Sequence, residues 1–329
     1  MTEATYDILG IGNAIVDVVA AAEDQFLSRH DMHKGAMRLI DAAQADALYA
    51  AMPPGQESSG GSAANTCAVA AGLGARVAYV GKVADDQLGR VFRHDINAVG
   101  VHFPTDPLTG GAPTARCLIL VTPDGQRTMN TFLGACVALE PADVHPHLIA
   151  LAKVTYLEGY LFDPPAAQAA FYKAAEAAHA AGRQVALSLS DPFCVDRHRD
   201  AFRKLVASHV DILFANETEI TSLYEQNDFD SAAEMARADV ELAVLTRSEA
   251  GSVILHGTTT LQIDAEPAKV IDTTGAGDAY AAGFLTGYTE GKPLSICGRM
   301  GSIAAAEVIG QYGARLTRDL RARMAAITH

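Results

Sequence analysis

From about residue 150 onward, apolar runs of strand length alternate with longer, alanine-rich stretches of helical character. "KVTYLEGYL" precedes "PPAAQAAFYKAAEAAHAAG", "QVALSLS" precedes "CVDRHRDAFRKLVASH", and "VDILFA" precedes "NETEITSLYEQ". Short runs that are apolar nearly throughout suit strands buried on both faces. Their alternation with helices predicts an α/β fold with a parallel sheet covered on both sides. "SAANTCAVAAGLGA" followed by "RVAYVGK" adds a helix and a strand to the same sheet. The absence of Trp and the abundance of Ala predict helices that lie close on it.

Two segments break this rhythm. Residues 13–59 mix short strand-like pieces such as "AMRLI" with one helix, "AAQADALYAAM", and residues 113–133 read as a hairpin turning at "PDG". The expected organisation is a large α/β domain of residues 1–12, 60–112 and 134–329, with a small β-rich lid of residues 13–59 and 113–133. Gly60 and Gly61, where the lid rejoins the large domain, are natural flex points because glycine accepts large φ/ψ changes.

Composition narrows the partners. The chain has 329 residues, 49% of them hydrophobic, enough for a substantial core. A net charge of -14 with scattered Lys and Arg speaks against nucleic acid. Cys67, Cys117, Cys136, Cys194 and Cys297 are far apart, with no CxxC pair, and read as reduced thiols of a cytoplasmic protein. "MTEATYDILGIGN" lacks the features of a signal peptide, and no run approaches the roughly 18 apolar residues of a membrane span, so no membrane partner is expected.

Candidate chemistry concentrates in "VIDTTGAGDAYAAGFL", residues 270–285. A strand, a glycine-rich turn and a helix start bring free backbone N–H groups and the positive end of the helix dipole to one place, a site for an anion. Gly275 and Gly277 let a phosphate approach the backbone, while Ala279, Ala281, Ala282 and Gly283 keep the helix close to the sheet. A carboxylate, Asp278, is a poor neighbour for a phosphate unless it faces a third group. A substrate hydroxyl is such a group in phosphoryl transfer. An ionised aspartate would orient the hydroxyl and take its proton. Alternatively Asp278 only caps the helix.

At this point the chain resembles the ribokinase-like, or PfkB, family of sugar and nucleoside kinases. The motifs stand in family order: "GNAIVD" at 12–17, "GGSAAN" at 60–65, "NETE" at 216–219 and "DTTGAGD" at 272–278. The resemblance implies a ribokinase-like fold whose mostly parallel central sheet has helices on both faces and whose small β-sheet lid closes over the substrate. It implies that Asp278 is the catalytic base and that Gly275, Ala276 and Gly277 form the anion hole. Asp17 is similar to the family aspartate that holds substrate hydroxyls, with Asn13 beside it, and Gly60, Gly61 and Asn65 resemble further substrate-binding positions. ATP and Mg²⁺ follow from the same resemblance, with Asn216 near the nucleotide phosphates and Glu219 acting on the metal through water. Read without it, Glu217 and Glu219 are a solvated pair at a helix start. "LTRSEAGS" resembles the nucleotide loop through Thr246 and Gly251, although Ser248 stands where many members have Gly. Arg127, after "PDGQ", resembles a lid arginine that reaches the phosphates.

Rival readings are weaker. "GIGNAI" at 10–15 has Ile15 where a dinucleotide-binding fingerprint needs its third glycine, and "GYTEGKP" has the wrong spacing for a P-loop, with Pro293 in the metal-binding position. A non-catalytic sensor on the same fold is a further alternative. Among substrates, "GNAIVD", "GGSAANT" and the Cys117 that closes "PTARC" resemble the adenosine-kinase-like branch. A purine ribonucleoside phosphorylated at its 5' hydroxyl is therefore expected, with a free sugar such as ribose or fructose as the alternative. Phe103, Phe132 and Phe162 are either core residues or a nucleobase wall. Both monomer and homodimer are compatible with the resemblance.

Overall fold

The computed structural model describes residues 4–327. In chain order its strands are β1 (Tyr6–Ile11), β2 (Ile15–Ala21), β3 (Met37–Leu39), β4 (Gln56–Gly60), β5 (Val77–Val80), β6 (Val101–His102) and β7 (Ala115–Val121). Then come β8 (Arg127–Phe132), β9 (Ala152–Glu158), β10 (Gln184–Ser188), β11 (Ile212–Asn216), β12 (Leu242–Thr246), β13 (Ser252–His256) and β14 (Thr259–Ile263).

Nine strands form one sheet in the order β14-β13-β12-β11-β10-β9-β1-β5-β6. It is parallel from β12 to β6, and β13 and β14 extend it antiparallel. Successive side chains of a strand point to opposite faces, and here both faces are apolar. Ile8 of β1 enters one core with Val77 and Val154, beneath helices Ser62–Gly72, Ala276–Thr289 and Leu294–Ile309. Leu9, the next residue, enters a second core with Ala78 and Leu157, beneath helices Pro165–Ala180 and Pro192–His209. Helix Pro165–Ala180 shows why the alanine-rich runs are helices. Proline occupies its first turn, and Ala167, Ala170, Phe171, Ala174, Ala175 and Ala178 make one buried stripe at helical spacing. Small side chains on that stripe let the helix lie close to the sheet.

A second sheet has the order β3-β8-β7-β2-β4. Its strands come from residues 15–60 and 115–132, and β7 and β8 form the hairpin expected at "PDG", closed by the Gly125 N–H on the Thr122 carbonyl. The chain enters this sheet after Ile11 and leaves it at Gly60. One face, with Val16, Val18, Leu118 and Leu120, packs on Phe26, Leu27 and Leu48 of helices Asp24–Arg29 and Ala42–Ala51. Strand register places Asp17, Cys117, Thr131 and Leu39 in one row of the opposite face, and Val19, Ile119, Met129 and Met37 in the next.

Among the described residues no helix is long and apolar enough to cross a membrane, and all five cysteines are free and buried.

Candidate active site

Parallel strands of an open α/β sheet leave a crevice beyond their carboxyl ends. Here those ends carry Asn13 just after β1, Glu158 of β9, Asn216 of β11 and Thr246 of β12, the last two paired in register. Helix Ala276–Thr289 starts against this edge. Its N-cap is Gly275 at φ +77°, and a Cβ there would lie 2.4 Å from the Ala314 methyl, so only glycine fits. A Cβ at Gly277 would meet nothing within 4 Å, so this side of the turn is open. The N–H of Ala276 is engaged by the Thr273 carbonyl at 3.2 Å. Among the described residues the N–H groups of Gly275, Gly277 and Asp278 have no partner. The free donors are thus displaced by one residue from the expected set, with Asp278 N–H in place of Ala276 N–H.

Asp278 does not cap its own helix: among the described residues no backbone N–H of that helix donates to its carboxylate. Its carboxylate turns to helix Ser62–Gly72 instead, accepting from Ser62 Oγ at 2.6 Å, with the Asn65 side chain close enough to favour its ionised form. Burial pushes its pKa up to about 6, although Ser62, Asn65 and the charge of Arg315 favour the ionised form. Desolvation is the largest of these effects.

The second sheet supplies the facing carboxylate. Asp17 is raised to about 6 by burial and by the charge of Asp278, against the pull of Arg315 and Arg127. Gly60 packs on it so closely that a Cβ would stand 2.3 Å from Oδ2. Gly61, at φ +99°, would place a Cβ 2.0 Å from the Asn13 carbonyl oxygen. The two glycines that read as flex points are therefore also points of close approach. Arg127 begins β8 on the Asp17 face and forms a buried ion pair with Asp272 at 3.0 Å, which turns this face toward the loop before Asp278.

Three participants were missed in the sequence. Ser62 stood inside a quoted motif, and Glu158 was visible as a lone carboxylate ending an apolar strand. Arg315, in an irregular C-terminal segment, had no signal at all. Glu158 is buried, accepting from the backbone and side-chain N–H groups of Asn13 at 3.2 and 2.8 Å and from Ala63 N–H at 2.7 Å. Burial raises it to about 7 despite those bonds. Asn13 Oδ1 is buried with no partner, an acceptor left for a ligand donor.

Along the neighbouring strand ends, Asn216 and Glu219 close on each other in a capping box. Asn216 Oδ1 accepts from Glu219 N–H, and both Glu219 oxygens accept from Asn216. Glu219 is buried and raised to about 7, so the reading of a solvated pair fails for it. Glu217 pairs with Arg247 instead. Thr246 and Gly251 flank the turn into β13. Gly251 has φ +79° and a Cβ there would meet the Ile263 carbonyl at 2.0 Å, while Ser248 sits at φ +50°, in the region where glycine is favoured. Phe103 and Phe162 are core residues, and Phe132 pairs with Arg116 on the sheet face opposite Asp17, so no phenylalanine of the three lines this face.

Among the described residues no three His, Cys, Asp or Glu side chains gather as a metal site. A Mg²⁺ that arrives on phosphates keeps several waters and needs few protein carboxylates, which this donor set suits.

The chain shares its fold and much of its sequence with known proteins. The chain is 55% identical to an adenosine kinase from Sinorhizobium meliloti of known structure, with a TM-score of 0.89 and coverage of 98% of this chain and 100% of that one. It is 50% identical to a probable sugar kinase from Rhizobium etli CFN 42, with a TM-score of 0.90 and coverage of 98% of both. It is 29% identical to the adenosine kinase of Saccharomyces cerevisiae over 94% of this chain and 96% of that protein. The profile described as pfkB family carbohydrate kinase matches residues 37–320. The chain belongs to this family, on its adenosine-kinase-like branch, and is a phosphotransferase with an alcohol group as acceptor.

Proposed function

We propose that this kinase transfers the γ-phosphoryl group of ATP to the 5' hydroxyl of a purine ribonucleoside. The observation that carries the substrate class is the face around Asp17. A carboxylate suited to ribose hydroxyls sits in a row with Cys117 and Leu39, beside a row of Val19, Ile119, Met129 and Met37. Leu39 and Met37 are 62% and 55% exposed, an apolar surface that a free sugar would leave uncovered and a nucleobase would bury. The Sinorhizobium and yeast relatives, both adenosine kinases, support the same class.

In this reading Asp17 and Asn13 hold the ribose, and Gly60, Gly61 and Asn65 shape its pocket. Asp278 accepts the proton of the 5' hydroxyl as that oxygen bonds to the γ-phosphorus and the bond from phosphorus to the bridging oxygen of ADP breaks. The free N–H groups of Gly275, Gly277 and Asp278 neutralise charge on the phosphoryl group in transit. Arg127, already beside that loop, adds a positive charge. Asn216, Thr246 and Gly251 bound the nucleotide side, and Glu219 would hold the metal through water. Mg²⁺ bound to the donor would offset the charge of its phosphates.

The test is ADP release by purified protein with ATP and Mg²⁺ across a panel of nucleosides and sugars. Adenosine is expected to give a kcat/KM at least about tenfold above ribose and fructose. A higher value for either sugar overturns the nucleoside assignment, and no ADP with any acceptor would favour a non-catalytic sensor.

A further inference from the structure

Arg315 belongs to no motif, yet it lies where both carboxylates and the Gly60–Gly61 connection meet. Its Nη2 donates to the Ser59 carbonyl and to Ser59 Oγ, and its Nη1 donates to the Ala64 carbonyl at 3.2 Å. Ser59 lies in β4 of the second sheet, one residue before its last, Gly60, whereas Ala64 lies in the first turn of the helix on the large sheet. One guanidinium therefore spans the two glycines. From the other side, Asp95 accepts from Ser59 N–H at 2.8 Å and from Ser59 Oγ, so Ser59 is held by a cation and an anion together. The residues inside this bracket make the close contacts of the site: Gly60 lies on Asp17, and Ser62 donates to Asp278.

We propose that Arg315 is a positioning residue for the transfer, clamping the Gly60–Gly61 connection in the geometry that sets Asp17 against Gly60 and Asp278 against Ser62. The inference rests on the assignment of Asp278 as the base. Arginine suits the task because a planar fork reaches acceptors on two segments at once, whereas lysine offers a single point charge.

Its charge has a second effect. Arg315 faces Asp95, Asp17, Asp278 and the buried Cys67 thiol. Asp17 also faces Arg127, and the Asp278 charge is further felt at Glu158, Glu219, Tyr156 and Tyr160. Within this acidic surrounding Arg315 is a cation that favours ionised Asp17 and ionised Asp278. Geometry and charge can be separated by substitution: Arg315→Lys keeps the charge and loses the span, and Arg315→Met loses both.

Hydrogen exchange of the ligand-free full chain tests the clamp without reference to turnover. Residues 56–66 are expected to exchange at least about tenfold faster in both variants than in the wild type. The pH profile of kcat/KM tests the consequence. Arg315→Met is expected to lower the plateau at least about tenfold and to move the acid limb upward by about half a pH unit or more. Arg315→Lys is expected to lower the plateau while retaining the wild-type limb, and it carries both comparisons should Arg315→Met fail to fold. Unchanged exchange in 56–66 overturns the clamp, and faster exchange with kcat/KM within about threefold of wild type overturns the positioning role. Absence of wild-type turnover with every acceptor would instead defeat the kinase reading of the site, and the exchange measurement would still decide the clamp.

Discussion

Lowering the pH through 6 is the sharpest perturbation of this site, because Asp17 and Asp278 are both raised to about 6 by burial. In the proposed reaction both act as carboxylates, one to hold the ribose and one to take the proton. Treated as two groups of pKa 6, the doubly ionised fraction falls from about 0.8 at pH 7 to about 0.01 at pH 5, roughly a hundredfold loss. A single essential carboxylate of the same pKa would give about tenfold. The logarithm of kcat/KM for adenosine should therefore fall with a slope approaching 2 below pH 6. The measurement is initial-rate ADP release from pH 5 to 9 with saturating ATP and excess Mg²⁺, which reports the ionisation of the enzyme–ATP complex before adenosine binds. Asp17→Asn should lower the plateau and reduce the limiting slope to 1, with only Asp278 left to titrate. A wild-type limb centred near 4, or a slope of 1 unaltered by Asp17→Asn, would refute the claim that burial raises both carboxylates and that both are required.

Asp278→Asn should lower kcat by about 10² to 10⁴ while leaving adenosine and ATP affinities within a fewfold, read by single-turnover kinetics and calorimetric titration. Gly60→Ala should leave the melting temperature nearly unchanged but cut kcat/KM at least about tenfold, since Gly60 does not need a left-handed backbone and the new methyl would stand 2.3 Å from Asp17 Oδ2. Leu39→Ser should raise the adenosine KM about tenfold or more and leave any ribose KM unchanged; equal effects on both would contradict an apolar wall at Leu39. Ligand-free protein should melt at a higher temperature at pH 6 than at pH 8. Folded Glu158 and Glu219 take up protons near pH 7, whereas in the unfolded chain they do so near 4.5, so the folded state binds more protons across this window and stability falls as pH rises. Ionised Glu158 costs roughly 3 kcal/mol at pH 8, and Glu158→Gln should flatten the dependence in a fluorimetric melt; a melting temperature that rises with pH would contradict the shift.

The sequence alone determined the elements, because local periodicity and turn chemistry carry them. Alternating apolar and alanine-rich runs became β9 to β12 and their helices, and "PDG" became the β7–β8 turn. It also determined the glycine-rich start of helix Ala276–Thr289 and most of the residues that meet there, since contiguous motifs bring their own backbone geometry. Tertiary structure decided what no local pattern encodes. That Asp278 turns to Ser62 and Asn65 rather than capping its helix depends on a partner 216 residues away. That Asp17 shares its row with Cys117, Thr131 and Leu39 depends on strand register, which puts residues from three distant segments on one face. The raised carboxylates follow from desolvation, which exists only once both sheets are assembled. Arg315 is the extreme case: an unpatterned residue near the end of the chain becomes central because folding brings Ser59, Ala64, Asp17 and Asp278 around it.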